Sequence, residues 1–213
     1  MSDAKAEILG RIRSSLSDHP QPAEPIRNYR KVSDKSQAEV LEMLIDRLVD
    51  YKANVFEETE ETIAQRIAEQ LGKSSHYVVP TGLKNEWLPE DTAARTRMVD
   101  SGNDQKSGAL SLRELDAVDA VVTSSTVSCA ETGTIFLTSQ EDEGRRAITL
   151  VPDHHICVVP LDTVVELIPE SMRRVDFNKP VTMISGPSAT SDIELIRVEG
   201  VHGPRTLDVI ILK

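Results

Sequence analysis

The sequence predicts an α/β protein: an open mixed, largely parallel sheet with flanking helices, preceded by an N-terminal helical arm. Three observations lead there. Residues 36–79 alternate helix, strand, helix, strand, the order of a sheet with crossover helices. Residues 119–160 crowd together short runs rich in Val, Ile and Thr, the composition of buried strands. The chain closes on Val209-Ile210-Ile211-Leu212, so its end is built into the sheet rather than trailing from it.

Each element follows from local pattern. Residues 3–16 read as a short helix, with Ile8, Leu9, Ile12 and Leu16 at helical spacing. Residues 17–33 carry Pro20, Pro22 and Pro25 and read as a linker or extended arm. The expected division is therefore 1–33, helix and Pro-rich linker, and 34–213, the α/β domain. A helix behind such a linker packs on its own domain or on another subunit, and both readings stay open. A second helix spans about 36–51, with Leu41, Leu44, Ile45 and Leu48 as its apolar stripe. Residues 53–57 read as a strand. A third helix runs from Thr59 to Leu71, with Ile63, Ile67 and Leu71 four apart and Gly72 placed to end it. Residues 76–79 and 97–100 read as strands, and 111–115 as a short helix. Strands are predicted at 119–124, 134–138, 147–151 and 156–159. A helix starts at 163, and Pro169 ends or bends it. Residues 181–185 form a strand, 192–198 a helix behind a Ser191-x-x-Glu194 capping box, and 207–212 the last strand.

Composition narrows the function. The formal net charge is −11, which disfavours a nucleic-acid partner and an anionic lipid surface, since both need clustered Lys and Arg. The apolar runs fall short of the ~18 residues of a spanning helix, so no membrane insertion is expected. The N-terminus alternates charged and apolar residues and lacks a signal-peptide core. A cytoplasmic location is the simplest expectation. There are two cysteines, Cys129 and Cys157, with no Cys-x-x-Cys pair. They cannot supply the four thiolates of an ordinary iron–sulfur cluster, so no cofactor is expected on this chain alone. Gly-x-Ser-x-Gly, Gly-x-Gly-x-x-Gly and the Walker pattern are absent, which removes the direct support for a serine hydrolase, a dinucleotide-binding dehydrogenase or a P-loop nucleotidase.

Polar, glycine-containing turns follow the strands. One block is Ala130-Glu131-Thr132-Gly133-Thr134, then Arg145 or Arg146, then Pro152-x-His154-His155-Ile156. Another is Ser185-Gly186-Pro187-Ser188-x-Thr190-x-Asp192-Ile193-Glu194, followed by Gly200-Val201-His202-Gly203-Pro204. In order and spacing these two blocks resemble the LUD-domain family. The resemblance covers about 119 to the C-terminus; the N-terminal third carries little signature. It implies a fold of the class shared by sugar-phosphate isomerases and coenzyme A transferases. It also implies a part in oxidising L-lactate to pyruvate, beside iron–sulfur partner proteins that carry the clusters.

Several residues are candidates for chemistry. Glu131, at a strand end, is a candidate nucleophile or general base, an idea strengthened by the glutamate nucleophile of related coenzyme A transferases. The plain reading is a solvated turn carboxylate, with Gly133 permitting positive φ and Thr132 and Thr134 organising the turn. His154 and His155 are neighbours on one strand and must face opposite ways, so at most one serves a given site. Gly186, Ser188, Thr190 and Asp192 sit where a helix start offers backbone N–H groups to a small anion, although Asp192 and Glu194 already complement such a terminus. His202 is a third candidate histidine. The His and Asp spacing fits no standard zinc pattern, so no metal is expected. Arg145 or Arg146 clamps a carboxylate or joins a solvated charge cluster. Cys129 reads as a small buried residue rather than a nucleophile. The Glu131–Thr134 and Ser185–Thr190 turns are expected to lie side by side on one cleft, with His154 or His155 at its rim. A homo-oligomer is compatible with all of this.

Overall fold

The computed structural model describes residues 2–19, 21, 23–72, 75–102, 108–191, 197–199 and 203–213. In chain order come α1 (Ser2–Ser15), α2 (Gln37–Asp50), β1 (Asn54–Glu58), α3 (Ile63–Leu71), β2 (Ser75–Pro80), β3 (Arg95–Asp100), α4 (Leu112–Asp116) and β4 (Ala120–Thr123). Then follow β5 (Val127–Cys129), β6 (Thr134–Leu137), β7 (His154–Pro160), β8 (Val164–Val165), α5 (Ile168–Met172), β9 (Thr182–Ile184), β10 (Ala189–Ser191), β11 (Arg197–Glu199) and β12 (Thr206–Leu212).

Six strands form the main sheet in the order β1-β12-β7-β4-β2-β3, and every pairing in it is parallel. A second sheet runs β8-β5-β6-β9, with one parallel and two antiparallel pairs. Strands β10 and β11 form a separate antiparallel ribbon. The main sheet is thus wholly parallel, while the second sheet is mixed. The main sheet is buried on both faces, as parallel sheets are. On β7, Ile156 and Val158 face α3, while Cys157 and Val159 face α2 and the second sheet. Ile63, Ile67, Leu44 and Leu48 are fully buried against these faces, each contributing about 1.5–3 kcal/mol by leaving water.

Local chemistry sets the helix ends. Ser36 accepts from Glu39 N, and Glu39 reaches back to Ser36 N, a complete capping box that starts α2. Gly72 ends α3 at φ 72°. Helix α1 lies apart from this core. Its predicted stripe is exposed, from 37% at Leu9 to 58% at Ile8. The chain is held again from Arg30 onward. Ser33 Oγ donates to Glu166 at 2.5 Å, and Arg173 donates to the Lys31 carbonyl at 2.8 Å. Among the described residues no helix is long and apolar enough to cross a membrane.

Four local predictions are corrected. Residues 147–151 are not a strand; Arg146–Thr149 form a 3₁₀ helix. Strands β4 and β7 pair directly and leave no slot between them, so Ile148 packs on Leu115 and Val121 instead. Residues 163–167 do not begin a helix: Val164–Val165 pair with β5, and Pro169 stands in the first turn of α5. Proline suits that position because its missing N–H has no helical partner there. Helix α3 begins at Ile63 rather than Thr59, whose N–H is turned back onto Thr62 Oγ1. Of the helix predicted over 192–198, residues 192–196 lie outside the described residues, while Arg197 and Val198 belong to strand β11.

Candidate functional site

The two glycine-containing turns meet at the end of α2. Gly133 stands at φ 58°, and a Cβ there would fall 2.8 Å from Arg47 Cβ and 3.3 Å from the Tyr51 ring. Gly186 stands at φ 86°, and its Cβ would fall 2.7 Å from Tyr51 Cβ. Both turns therefore press on the same tyrosine, and only a residue without a side chain fits either place. Beside them, the Thr134 and Ser185 hydroxyls are 2.8 Å apart, and the Thr132 and Thr134 hydroxyls are also 2.8 Å apart.

A cavity of about 240 Å³ opens next to the second turn, lined by Ser185, Gly186, Ser188, His155, Arg146, Thr149 and Thr182 among others. Ser188 is held there by its N–H, which donates to the Pro204 carbonyl at 2.8 Å. His155 lies on the sheet face toward the second sheet and is buried, with its Nε2 2.8 Å from Thr123 Oγ1. Burial, with nearby His154, pushes its pKa down to about 3, so the ring is neutral at ordinary pH. The neutral ring lines the cavity.

His154 faces the opposite way, as alternation along a strand requires. Its Nε2 lies 2.8 Å from Asp208 Oδ2, and Asn54 donates to the other oxygen of that buried carboxylate at 2.7 Å. It takes no part in lining this cavity. The two arginines also separate. Arg145 grips buried Asp100 through Nε and Nη2 at 2.8 and 2.9 Å and donates to the Leu110 carbonyl, which makes it a structural clamp. Arg146 lines the cavity, donates to Thr182 Oγ1 at 3.1 Å, and forms no ion pair among the described residues.

The Glu131 side chain leaves the cleft. It pairs with Arg30, which also holds Glu166 at 3.0 Å, and it borders a different hollow beside Tyr29 and Met172. The Glu166 carboxylate is buried, and the Ser33 hydroxyl followed by Arg30 holds it below the usual carboxylate range. Sequence reasoning passed over both Arg30 and Glu166; no local pattern marks an ion pair that spans 136 residues. Thr190 lies in β10, paired with Val198. Asp192 and His202 lie outside the described residues. Among the described residues no group of three or more His, Cys, Asp or Glu is arranged to hold a metal. Both cysteines are buried, and burial pushes the Cys157 thiol up to about 12.

A doubly covered parallel sheet with a smaller mixed sheet against one face, and a hydroxyl-rich cavity at their junction, defines an α/β protein of two packed sheets. The LUD domain model matches residues 29–212, and the chain belongs to that family. It is 40% identical to lactate utilization protein C of Deinococcus radiodurans, over 99% of this chain and 96% of that one. It is 26% identical to lactate utilization protein C of Macrococcus caseolyticus, over 94% and 92% of the two chains. Among solved structures it is similar to a DUF162 family protein from Deinococcus radiodurans, with TM-score 0.70 and 36% identity, covering 84% of this chain and 99% of that one.

Proposed function

We propose that this chain is a cytoplasmic component of an L-lactate utilisation system, which works with iron–sulfur partner proteins and binds a small hydroxycarboxylate in the cavity beneath His155. The observation that carries the reading is Arg146. Its guanidinium faces a cavity of lactate-compatible size, about 240 Å³, whose other polar groups are hydroxyls and a neutral imidazole. A guanidinium matches a carboxylate with two parallel N–H donors, and the hydroxyls match the 2-hydroxyl. The names of the relatives point to the same metabolite.

The chain's thiols do not fit a redox cluster. There are two, both are buried, and the Cys157 thiolate is strongly disfavoured. Electrons taken from lactate therefore go to centres on partner chains, and this chain's residues bind and orient. Titration calorimetry with L-lactate tests the reading. Wild type is expected to bind, and Arg146→Gln to bind at least ~10-fold more weakly, the scale of a lost charge-assisted hydrogen bond. Absence of binding to the wild type, both alone and with its iron–sulfur partners, overturns it. Lactate-dependent dye reduction by the reconstituted system, measured with and without this chain, tests the need for the partners.

A further inference from the structure

Arg146 lines two cavities. The second is a larger hollow of about 780 Å³, outside the carboxyl ends of β2 and β3. Its lining includes Lys179, Glu141, Arg145 and Ser139. In an open α/β sheet this end of the strands is where ligands settle.

Charge decides what the hollow receives. Arg145 is neutralised by Asp100, which it grips through two nitrogens. Arg146 and Lys179 are different. Neither forms an ion pair among the described residues; Arg146 donates to Thr182, and Lys179 Nζ donates to Gln140 Oε1 at 2.9 Å. Each keeps N–H groups beyond those bonds, because a guanidinium has five and an ammonium three. Among the described lining residues Glu141 is the one carboxylate outside the Asp100–Arg145 pair, so two cations stand there against one anion. The chain as a whole carries −11, which makes a locally positive hollow a departure from its surface. Part of the lining is held in a strained conformation: Ser139 is a non-glycine residue at φ 56°, tied by its hydroxyl to the Pro180 carbonyl.

We propose that this second cavity is a binding site for a phosphate group, held by Arg146 from one side and Lys179 from another. The two cations come from different chain segments, and a tetrahedral oxyanion presents oxygens in several directions to meet both. The proposal concerns a separate cavity and stands whether or not the first one takes lactate. It assigns Arg146 a double position, between a small carboxylate and a phosphate.

Titration calorimetry of the full chain at low ionic strength tests it, with inorganic phosphate and glycerol 3-phosphate as separate probes. Binding of at least one is expected. Lys179→Gln and Arg146→Gln are each expected to weaken it about tenfold, the loss of one charge-assisted contact. Lys213→Gln, on a lysine paired with Glu57 away from the cavity, leaves it unchanged. Tighter binding of the ester than of the free ion assigns the site to a phosphorylated metabolite; equal binding assigns it to free phosphate. L-lactate binding separates the two readings: Lys179→Gln retains it. Failure of lactate to bind while phosphate binding depends on Lys179 leaves this proposal standing and removes the other. Absence of binding to both probes overturns the phosphate site, as does an equal loss in all three variants. Melting temperatures confirm that each variant is folded.

Discussion

Thr134 and Ser185 lie 51 residues apart in the chain, yet their hydroxyls meet at 2.8 Å. That contact joins the two glycine-containing turns at the edge where β6 pairs with β9.

Gly133→Ala strikes the junction directly. The substitution places a side chain at φ 58° and 2.8 Å from Arg47 Cβ. Left-handed strain and overpacking each cost about 1–3 kcal/mol. The melting temperature is expected to fall by at least roughly 4 °C at this chain length. Gly10→Ala is the control, since nothing lies within 4 Å of the added methyl and α1 is helical there. A Gly133→Ala melting point equal to wild type would show that the turn does not need its glycine.

Glu131 and Glu166 separate an exposed carboxylate from a buried one on the same arginine. Glu131→Gln is expected to leave lactate turnover of the reconstituted system near wild type, because the carboxylate faces Arg30 and not the cavity. Glu166→Ala removes the acceptor of the Ser33 hydroxyl and of Arg30 together. It should raise protease sensitivity in the segment before Gln37 and lower the melting temperature. A drop of ~100-fold in turnover for Glu131→Gln, with stability unchanged, would restore it as an acid, base or nucleophile.

His155 ties stability to pH. Its folded pKa, about 3, lies below the ordinary 6.5, so the unfolded chain binds the proton more readily. Its contribution is fully present above about pH 6.5 and is lost progressively as pH falls toward 3. Within that window the slope approaches ~1.4 kcal/mol per pH unit for one group. His155→Gln keeps a polar group opposite Thr123 and removes the titration. Denaturant unfolding of both proteins at pH 7, 6 and 5 should show the wild type losing more stability than the variant. Parallel curves would mean that His155 is charged inside the fold.

Glu143 has the opposite sign. It is buried, and it accepts from Thr138 N at 2.6 Å, Gln140 N at 3.0 Å and Thr126 Oγ1 at 2.5 Å. Desolvation is the largest influence on it and raises its pKa despite those bonds. A raised acid binds its proton more tightly when folded, so stability declines as pH rises through the folded pKa. Glu143→Gln keeps an acceptor for the backbone N–H groups and removes the charge. Relative to wild type it should gain stability as pH rises from the ordinary 4.5 through the raised folded pKa. Glu143→Ala should lose about 2–4 kcal/mol at low pH, since it strands the buried Thr138 N–H and the part-buried Gln140 N–H.

Several features were determined by the sequence alone, because they depend only on local spacing. The α3 stripe of Ile63, Ile67 and Leu71 follows from helical periodicity and is buried as predicted; of the α2 stripe Leu44 and Leu48 are buried, Leu41 and Ile45 only partly, and Val40 is buried in addition. The opposed directions of His154 and His155 follow from strand alternation, whichever strands flank them. The glycine at 133 announces a positive φ before any contact is known. Tertiary structure alone decided which partner each element meets. Val127–Cys129 is too short to announce itself and becomes β5 because β6 and β8 supply its hydrogen bonds. Residues 147–151 carry a strand-like composition, but β4 and β7 already occupy each other's edges. Arg145 and Arg146 are equivalent as letters; Asp100, 45 residues away, takes one and leaves the other to the cavities. Glu131 is drawn out of the cleft by Arg30 from 101 residues away. Periodicity reports that a side chain is buried or which way it points, whereas an ion pair or a strand pairing is set by whichever distant group arrives to satisfy it.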